Sequence, residues 1–139
     1  MAKAERSRKD YLYASGSEAL AFAYLEFEAD LEAASAKDAA KIDALLKQEY
    51  CEFGRVRNSE KWNADEHRHK VGHAEYRVQA AKAYQCRVYG VEGSYNGSRA
   101  FFISAVEPKK KKDKADRKLL KTAAERAVEL VAKIKGAKI

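Results

Sequence analysis

Three runs rich in Tyr, Val, Phe or Ile follow one another in the second half of the chain and constrain its fold more than any other feature. They are residues 73–79, 84–91 and 99–106, and their composition is typical of β-strands. The segment 92–98 contains two Gly and an Asn, which suit a hairpin turn between the second run and the third. Because consecutive strands with short connections usually pair, the three runs predict an antiparallel sheet.

Two segments of the first half show the apolar spacing of an amphipathic helix. The first, residues 17–34, has apolar residues at intervals of three or four, and Ser17 is its expected N-cap. The second, residues 37–53, repeats the pattern and is ended by Gly54. The two segments therefore predict a helical hairpin.

The ends of the chain complete the predicted element order. Residues 11–14 suit a short strand, whereas the charged residues 1–10 predict a disordered arm. Residues 116–135 predict a last helix, which Gly136 ends. The order is (β)ααβββα, an α+β fold in which helices cover one face of a small antiparallel sheet of three or four strands.

The composition predicts a single soluble domain spanning residues 1–139. Of the 139 residues, 46% are hydrophobic and 35% charged, a balance typical of a compact globular chain. The longest apolar stretches are far shorter than the ~20 residues of a membrane span. Because the sequence also lacks a recognisable signal peptide, we expect a cytoplasmic protein without membrane contact.

The charge of +7 is distributed unevenly along the chain. Residues 1–60 carry 9 basic and 12 acidic side chains, whereas residues 61–139 carry 19 basic and 9 acidic ones. A basic half of this kind favours binding of a polyanion such as nucleic acid. The lysine run at residues 109–112 fits that interpretation, although a solvated basic tail would show the same run.

Two strand arginines are candidates for a phosphate clamp. If Arg77 and Arg87 both face away from the helices, their guanidinium groups lie on one open sheet surface, with Tyr89 beside them as a stacking surface for an unpaired base. In the alternative interpretation they are ordinary solvent-facing residues paired with Glu75 or Glu92.

The histidines His67, His69 and His73 are the remaining candidates for chemistry. The His-x-His spacing could bring two imidazoles to one metal ion, but no cysteine or carboxylate lies at a spacing typical of zinc modules, so we expect neither a metal nor another cofactor. His73, close to Lys70, is better placed as a proton donor or acceptor. A solvated loop histidine is the alternative for each of them.

The order of these short motifs resembles the RelE/HigB toxin superfamily, and most of all its phage-derived HigB-like branch. The resemblance covers about residues 17–132. It rests on KVG at 70–72, EYR at 75–77, CRVY at 86–89, FFIS at 101–104, KKKKDK at 109–114 and AAERA at 123–127.

The resemblance implies a RelE-like fold and a ribosome-dependent mRNA endoribonuclease, the toxin of a toxin–antitoxin pair. Such enzymes let the 2′-hydroxyl of the mRNA attack the adjacent phosphate, while the protein supplies base, acid and cationic stabilisation without a metal. The implied partners are mRNA on the ribosome and a cognate antitoxin protein that covers the basic face.

The resemblance also implies roles for individual residues. The catalytic set would comprise Arg77, Arg87, His73 and Tyr89. The RNA-binding set would comprise Arg68, His69, Lys70, Lys109, Lys110, Lys111, Lys112 and Lys114. The sequence departs from the RelE-type pattern at Gln79, where a second lysine is expected.

Two other functions are compatible with the sequence. The first is an RNA- or ribosome-binding protein of the same fold without catalysis. The second is a component of a phage or host structural complex, in which the acidic and basic helices serve as assembly surfaces.

Overall fold

The structure, a computed structural model, describes residues 10–110 and 116–139. The arm expected at residues 1–10 lies outside the described residues except for Asp10, and so do Lys111, Lys112 and Lys114. No helix in the two described ranges has both the length and the apolar character needed to cross a membrane.

Seven strands of the described residues form one mixed sheet in the order β1-β2-β6-β5-β4-β3, with β7 paired to the end of β5. The strands are β1 (Leu12–Ser15), β2 (Ala19–Ala23), β3 (Trp62–Val71), β4 (Ala74–Ala83), β5 (Cys86–Tyr95), β6 (Ser98–Glu107) and β7 (Ala137–Lys138). Strands β3 to β6 form an antiparallel meander, which confirms the antiparallel pairing predicted for the three strand-like runs. Strand β2, however, lies parallel to β6. The prediction of a RelE-like sheet with three or four strands is therefore wrong.

The helices are α1 (Phe27–Leu31), α2 (Ala36–Ala44), α3 (Cys51–Phe53) and α4 (Arg117–Ala132), and a π-helical turn at Leu45–Tyr50 joins α2 to α3. The Ser35 hydroxyl caps α2 by accepting a hydrogen bond from the Asp38 amide at 3.1 Å. Gly54 ends the helical run in a left-handed conformation, with φ of 77°. These boundaries confirm the helix predicted for residues 37–53.

The last helix is also confirmed. The Asp116 carboxylate accepts hydrogen bonds from the amides of Lys118 and Leu119, at 2.9 and 3.4 Å, and thereby caps α4. The chain then passes Gly136, with φ of 91°, before it forms β7. The helix is slightly shorter at its C-terminal end than the predicted 116–135.

Helices pack on both faces of the sheet. Ala81 and Val88 belong to a core that includes Ile42 of α2 and the π-helical turn, and we call this side the α2 face. Ala80 and Tyr89 belong to a core built with α4, and we call this side the α4 face. The prediction that helices cover one face only is therefore wrong.

The prediction of a helix over residues 17–34 is also wrong, and so is the helical hairpin that it would form with residues 37–53. The first part of residues 17–34 forms β2, in which four of the five residues are buried, and the second part forms the short helix α1. A strand buried on both faces is apolar without alternation, so its sequence can match a helical period by coincidence. The Gly16 backbone lies so close to Cys51 that a Cβ would come within 2.6 Å of its carbonyl, which fits the tight entry to this strand.

Residues 55–72, between the predicted helix 37–53 and the first strand-like run, form strand β3 over much of their length. This strand lies at the edge of the sheet, and of its ten residues only Trp62 is buried. The Trp62 indole donates a hydrogen bond to the side-chain oxygen of Gln79 at 2.8 Å. Exposed edge strands carry many polar and charged residues, which is why this segment lacks the apolar alternation of a strand.

The outer ends of β3 and β4 project beyond the sheet as a two-stranded ribbon. The pairing between β4 and β5 begins only at Val78 and Val91, whereas β7 pairs with β5 further out, at Ser94 and Tyr95. We call residues 67–78 the β3–β4 ribbon. The meander therefore has two distinct basic regions, the ribbon at one end and the β4–β5 turn at the other.

Candidate nucleic-acid interface

The two arginines predicted to clamp one phosphate lie on opposite faces of the sheet. Arg87 is paired with Lys82 of β4, and paired residues of neighbouring strands share a face. Arg77 lies an odd number of positions from Lys82 on the same strand, so its side chain points to the other face, roughly 16 Å away along the strand. Arg77 is on the α2 face and Arg87 on the α4 face, so the predicted clamp is wrong.

Tyr89 is fully buried and offers no stacking surface to a base. Its hydroxyl donates a hydrogen bond to Oε1 of Glu107 at 2.7 Å, and burial raises the pKa of the tyrosine. The role predicted for Tyr89 as a stacking surface is therefore wrong.

His73 lies in the turn at the tip of the ribbon, far from Arg87. The turn precedes β4 at Ala74, and Arg87 is paired near the other end of that strand, at Lys82. The two ends are roughly 26 Å apart at the usual rise of a strand. The four residues predicted to form a catalytic set are therefore not brought together.

The other two histidines lie side by side, but they do not form part of a metal-binding cluster. The rings of His67 and His69 lie on the same side of β3, with their centroids 6.0 Å apart and their planes at 22°. A search of residues 10–110 and 116–139 found no group of three His, Cys, Asp or Glu side chains that could hold a metal ion.

One cation of the ribbon, Arg68, is paired with neighbouring carboxylates. Arg68 lies directly opposite Arg77 across the two strands, an arrangement of like charges that destabilises a sheet unless acidic neighbours offset it. The Arg68 guanidinium contacts the Asp65 carboxylate at 3.1 Å and lies 4.0 Å from that of Glu75. The hydrogen bond with Arg68 lowers the pKa of the Asp65 carboxyl.

The number of charged residues in and next to the ribbon also indicates compensation. Residues 63–77 contain three cationic side chains, Arg68, Lys70 and Arg77, and three carboxylates. Lys70 itself lies opposite Glu75. The ribbon together with residues 63–66 of β3, which precede it, therefore carries as many carboxylates as cations.

A second basic region surrounds the β4–β5 turn. It consists of Lys82, Tyr84, Arg87, Lys109 and Lys110, and we call it the basic corner. The Lys110 amide donates a hydrogen bond to the carbonyl of Gln85 at 2.8 Å, which holds the start of the lysine run against the turn. Lys109 and Lys110, predicted from the sequence, thus lie beside Arg87, whereas Arg68, His69 and Lys70 lie on the ribbon.

Lys82, Arg87 and Lys109 of the basic corner have little acidic compensation. Segments 82–87 and 107–110 together contain four cationic side chains and one carboxylate, Glu107. Although Glu107 is paired opposite Arg87 in the sheet, its carboxylate accepts the hydrogen bond from Tyr89 instead. Within the described part of the chain, no carboxylate oxygen lies within 4.0 Å of the charged nitrogens of Lys82, Arg87 or Lys109.

Arg87 fixes the turn that presents Tyr84. Its Nη1 donates hydrogen bonds to the carbonyl oxygens of Tyr84, at 2.5 Å, and Cys86, at 3.2 Å. Both acceptors are neutral carbonyl groups, so these hydrogen bonds do not offset the positive charge of the guanidinium. The Tyr84 side chain is 80% exposed, the largest exposure of any large hydrophobic residue described.

Tyr84 occupies a backbone position that favours glycine. Tight turns between strands need a positive φ, which Gly and Asn adopt at low cost. The β3–β4 turn has Gly72 with φ of 64°, and the β5–β6 turn has Asn96 and Gly97 with φ of 47° and 86°. The β4–β5 turn instead has Tyr84, with φ of 50°, which strains an L-residue with a bulky side chain.

Sequence reasoning did not identify Lys82 and Tyr84 as functional residues. Tyr84 was expected to begin a strand, because the connection to β5 contains none of the turn residues Gly, Asn, Asp or Pro. The sequence did carry one signal for this site. An aromatic residue, Tyr84, follows the first strand-like run, with Lys82 two positions before it and Arg87 three positions after it.

Comparisons of the chain with protein-family models, with curated proteins and with solved structures found no match.

Proposed function

We propose that the protein binds single-stranded RNA through the basic corner. The observation that carries the proposal is the exposed Tyr84 ring, held by Arg87 in a strained turn next to Lys82 and Lys109, which have no carboxylate within 4.0 Å among the described residues. A flat aromatic ring beside several cations is the combination that single-stranded nucleic acids bind.

The charges of the corner supply the attraction to phosphate. Lysine and arginine side chains that neutralise phosphates release condensed counterions, and this release favours binding. A cation that is already paired with a carboxylate contributes less to the binding free energy, because the phosphate must first replace that carboxylate. Lys82, Arg87 and Lys109 meet the condition for strong binding, and further lysines follow in the sequence at 111 and 112.

The Tyr84 ring supplies the contact to a base. Stacking of a base on an aromatic side chain contributes about 1–3 kcal/mol and tolerates any base. The strained φ supports this role, because a bulky residue in a glycine position costs stability and persists where the side chain has a use. RNA is favoured over DNA by the motif resemblance alone, so the test below includes both.

The proposal does not include catalysis. Cleavage of mRNA, the ribosome and an antitoxin partner stay predictions from the motif resemblance, and the separation of Arg77, His73 and Arg87 gives them no common site. An assembly surface in a structural complex differs from RNA binding in its response to salt.

The proposal is tested by fluorescence anisotropy with a single-stranded RNA of about twelve nucleotides, a length within the site sizes of known single-strand binders. We expect the logarithm of the binding constant to fall with the logarithm of salt concentration, with a slope of about −3 for four or five neutralised phosphates. The matching DNA strand and the RNA duplex serve as comparisons.

Tyr84→Ala should weaken binding by about tenfold, the value of one stacked base. Phe53→Ala is the matched control, because Phe53 is also exposed, at 71%, and lies outside the corner. The proposal is wrong if the wild-type protein does not bind, if binding is insensitive to salt, or if the two variants lose affinity equally. Discrete RNA cuts that require ribosomes and disappear in Arg87→Ala would add catalysis to binding.

A further inference from the structure

A groove opens next to the basic corner, on the α2 side of the sheet. Its volume is about 380 Å³, and it lies between the helical run and the start of the β4–β5 turn. Ala44 and Leu45 line it from the helix, and Ala83 and Tyr84 line it from the sheet. The groove therefore adjoins the one aromatic side chain that the proposed RNA site uses.

We propose that this groove binds one unstacked nucleobase of the RNA strand, a proposal that rests on the proposed RNA binding. The groove is large enough for a base, since its volume lies within the range of pockets that bind small ligands. The apolar lining suits the flat faces of a base, and single-stranded recognition by proteins generally splays bases out of the strand in this way.

The local helix geometry supports a binding role for the groove. Leu45 begins the π-helical turn, and Glu49 belongs to it. π-helical turns are rare and are frequent at functional sites, because they displace the side chains that follow from their usual helical positions. Here the turn belongs to the wall of the groove itself.

The polar rim suits a nucleotide rather than a purely apolar ligand. Lys41 and Lys61 line the groove, where their ammonium groups can reach the phosphates on either side of a bound base. Lys82 also lines the groove, although its side chain shares the α4 face with Arg87. Glu49 and Glu60 supply carboxylates, which accept hydrogen bonds but cannot donate them when ionised. The groove should therefore favour adenine, cytosine and guanine, which carry exocyclic amino groups, over uracil, which has none.

The decisive variant fills the groove without removing a charge or the Tyr84 ring. Ala44→Tyr places a large side chain in the groove, and Ala132→Tyr, at an exposed position of α4, is the control. The probes are an RNA strand and the same strand with one abasic residue at its centre. The abasic strand should bind wild-type protein about tenfold more weakly, as expected for the loss of one base contact.

Ala44→Tyr should bind both strands equally and with an unchanged salt slope, whereas Ala132→Tyr should discriminate as the wild type does. If Ala44→Tyr is folded and still discriminates tenfold, the groove does not hold a base. If the wild type binds RNA but does not discriminate, the groove proposal alone is wrong. If the wild type does not bind RNA at all, the proposed function fails first and the groove proposal with it.

Glu49→Gln provides a second test that does not depend on filling the groove. It leaves the shape of the groove intact and should abolish a preference of about tenfold for strands with amino-bearing bases over oligouridine, as expected for a hydrogen bond to a charged group. Equal binding of both strands by the wild type would contradict the role of the carboxylate.

Discussion

The β3–β4 ribbon and the basic corner are both rich in cationic side chains, but they differ in how these charges are compensated. In the ribbon, Arg68 contacts Asp65 and approaches Glu75, and residues 63–77 contain three carboxylates and three cations. In the corner, Glu107 is engaged by Tyr89, and the described cations Lys82 and Arg87 have no carboxylate within ion-pair distance. The corner also exposes the Tyr84 ring, whereas Tyr76 of the ribbon is half-buried.

The difference shows why a count of basic residues does not locate a binding surface. The motif resemblance directed attention to Arg68, Lys70 and Arg77, which the fold places among acidic neighbours. The unmatched charge lies at the other end of β4, where the chain returns after β6 and brings Lys109 and Lys110 against the β4–β5 turn.

The largest expected difference between the two regions is in RNA affinity. Lys82→Ala combined with Lys109→Ala should weaken binding roughly 30-fold and reduce the salt slope by about 1.4, because two phosphate contacts are lost. Lys70→Ala combined with Arg77→Ala should change affinity less than about threefold, since residues 63–77 contain as many carboxylates as cations and attract phosphate weakly. Fluorescence anisotropy at several salt concentrations measures both effects, and equal losses would remove the distinction between the regions.

A smaller effect is expected when the turns are compared. Tyr84→Gly should weaken RNA binding by about tenfold, because the ring is lost, yet raise the free energy of unfolding by about 1 kcal/mol, because glycine relieves the strained φ.

Gly72→Ala is the matched variant in the ribbon turn, where a Cβ would meet no atom within 4 Å and only the backbone conformation matters. It should lower the free energy of unfolding by about 1 kcal/mol and leave RNA binding unchanged. Denaturant unfolding checks both variants. A lower free energy of unfolding in Tyr84→Gly would show that the Tyr84 side chain stabilises the fold through packing.

The smallest effect concerns the core beneath the corner. Burial raises the pKa of the Cys86 thiol, next to Arg87, to about 11, and that of Cys51 also to about 11, from a usual value of 9.0. The folded state therefore holds these protons more tightly than the unfolded state does. The resulting stability is present below about pH 9 and is lost as the pH rises towards 11.

We therefore expect the melting temperature to decrease between about pH 9 and 11, and neither thiol to react with a disulfide reagent at about pH 8. Cys86→Ala should flatten part of the alkaline decrease. Rapid reaction of Cys86 at about pH 8 would indicate that the corner opens, and so would contradict a fixed turn that presents Tyr84.

Several elements of the fold, but not its sheet, could be predicted from the sequence. The helix after Ser35, the last helix after Asp116 and the antiparallel order of β4 to β6 follow from local signals, namely caps, a stop glycine and strand composition. Local signals failed where tertiary context decides. β2 is apolar because it is buried on both faces, and β3 is polar because it lies at an edge.

The site was predicted less well, for a specific reason. The strand boundaries decide which face a side chain occupies, and the four residues between the expected runs, 80–83, belong to β4. With the correct pairing of Lys82 and Arg87, alternation alone would have separated Arg77 from Arg87. The exposure and strained φ of Tyr84 depend on the two-residue turn, which has no recognisable turn residue.

The most direct test of the central claim is an amide NMR titration of the protein with a short single-stranded RNA at low salt. The account predicts chemical-shift changes concentrated at Lys82, Tyr84, Gln85, Arg87 and Lys110. Changes concentrated instead at Arg68, Lys70 and Arg77 would place the RNA on the ribbon and contradict the account.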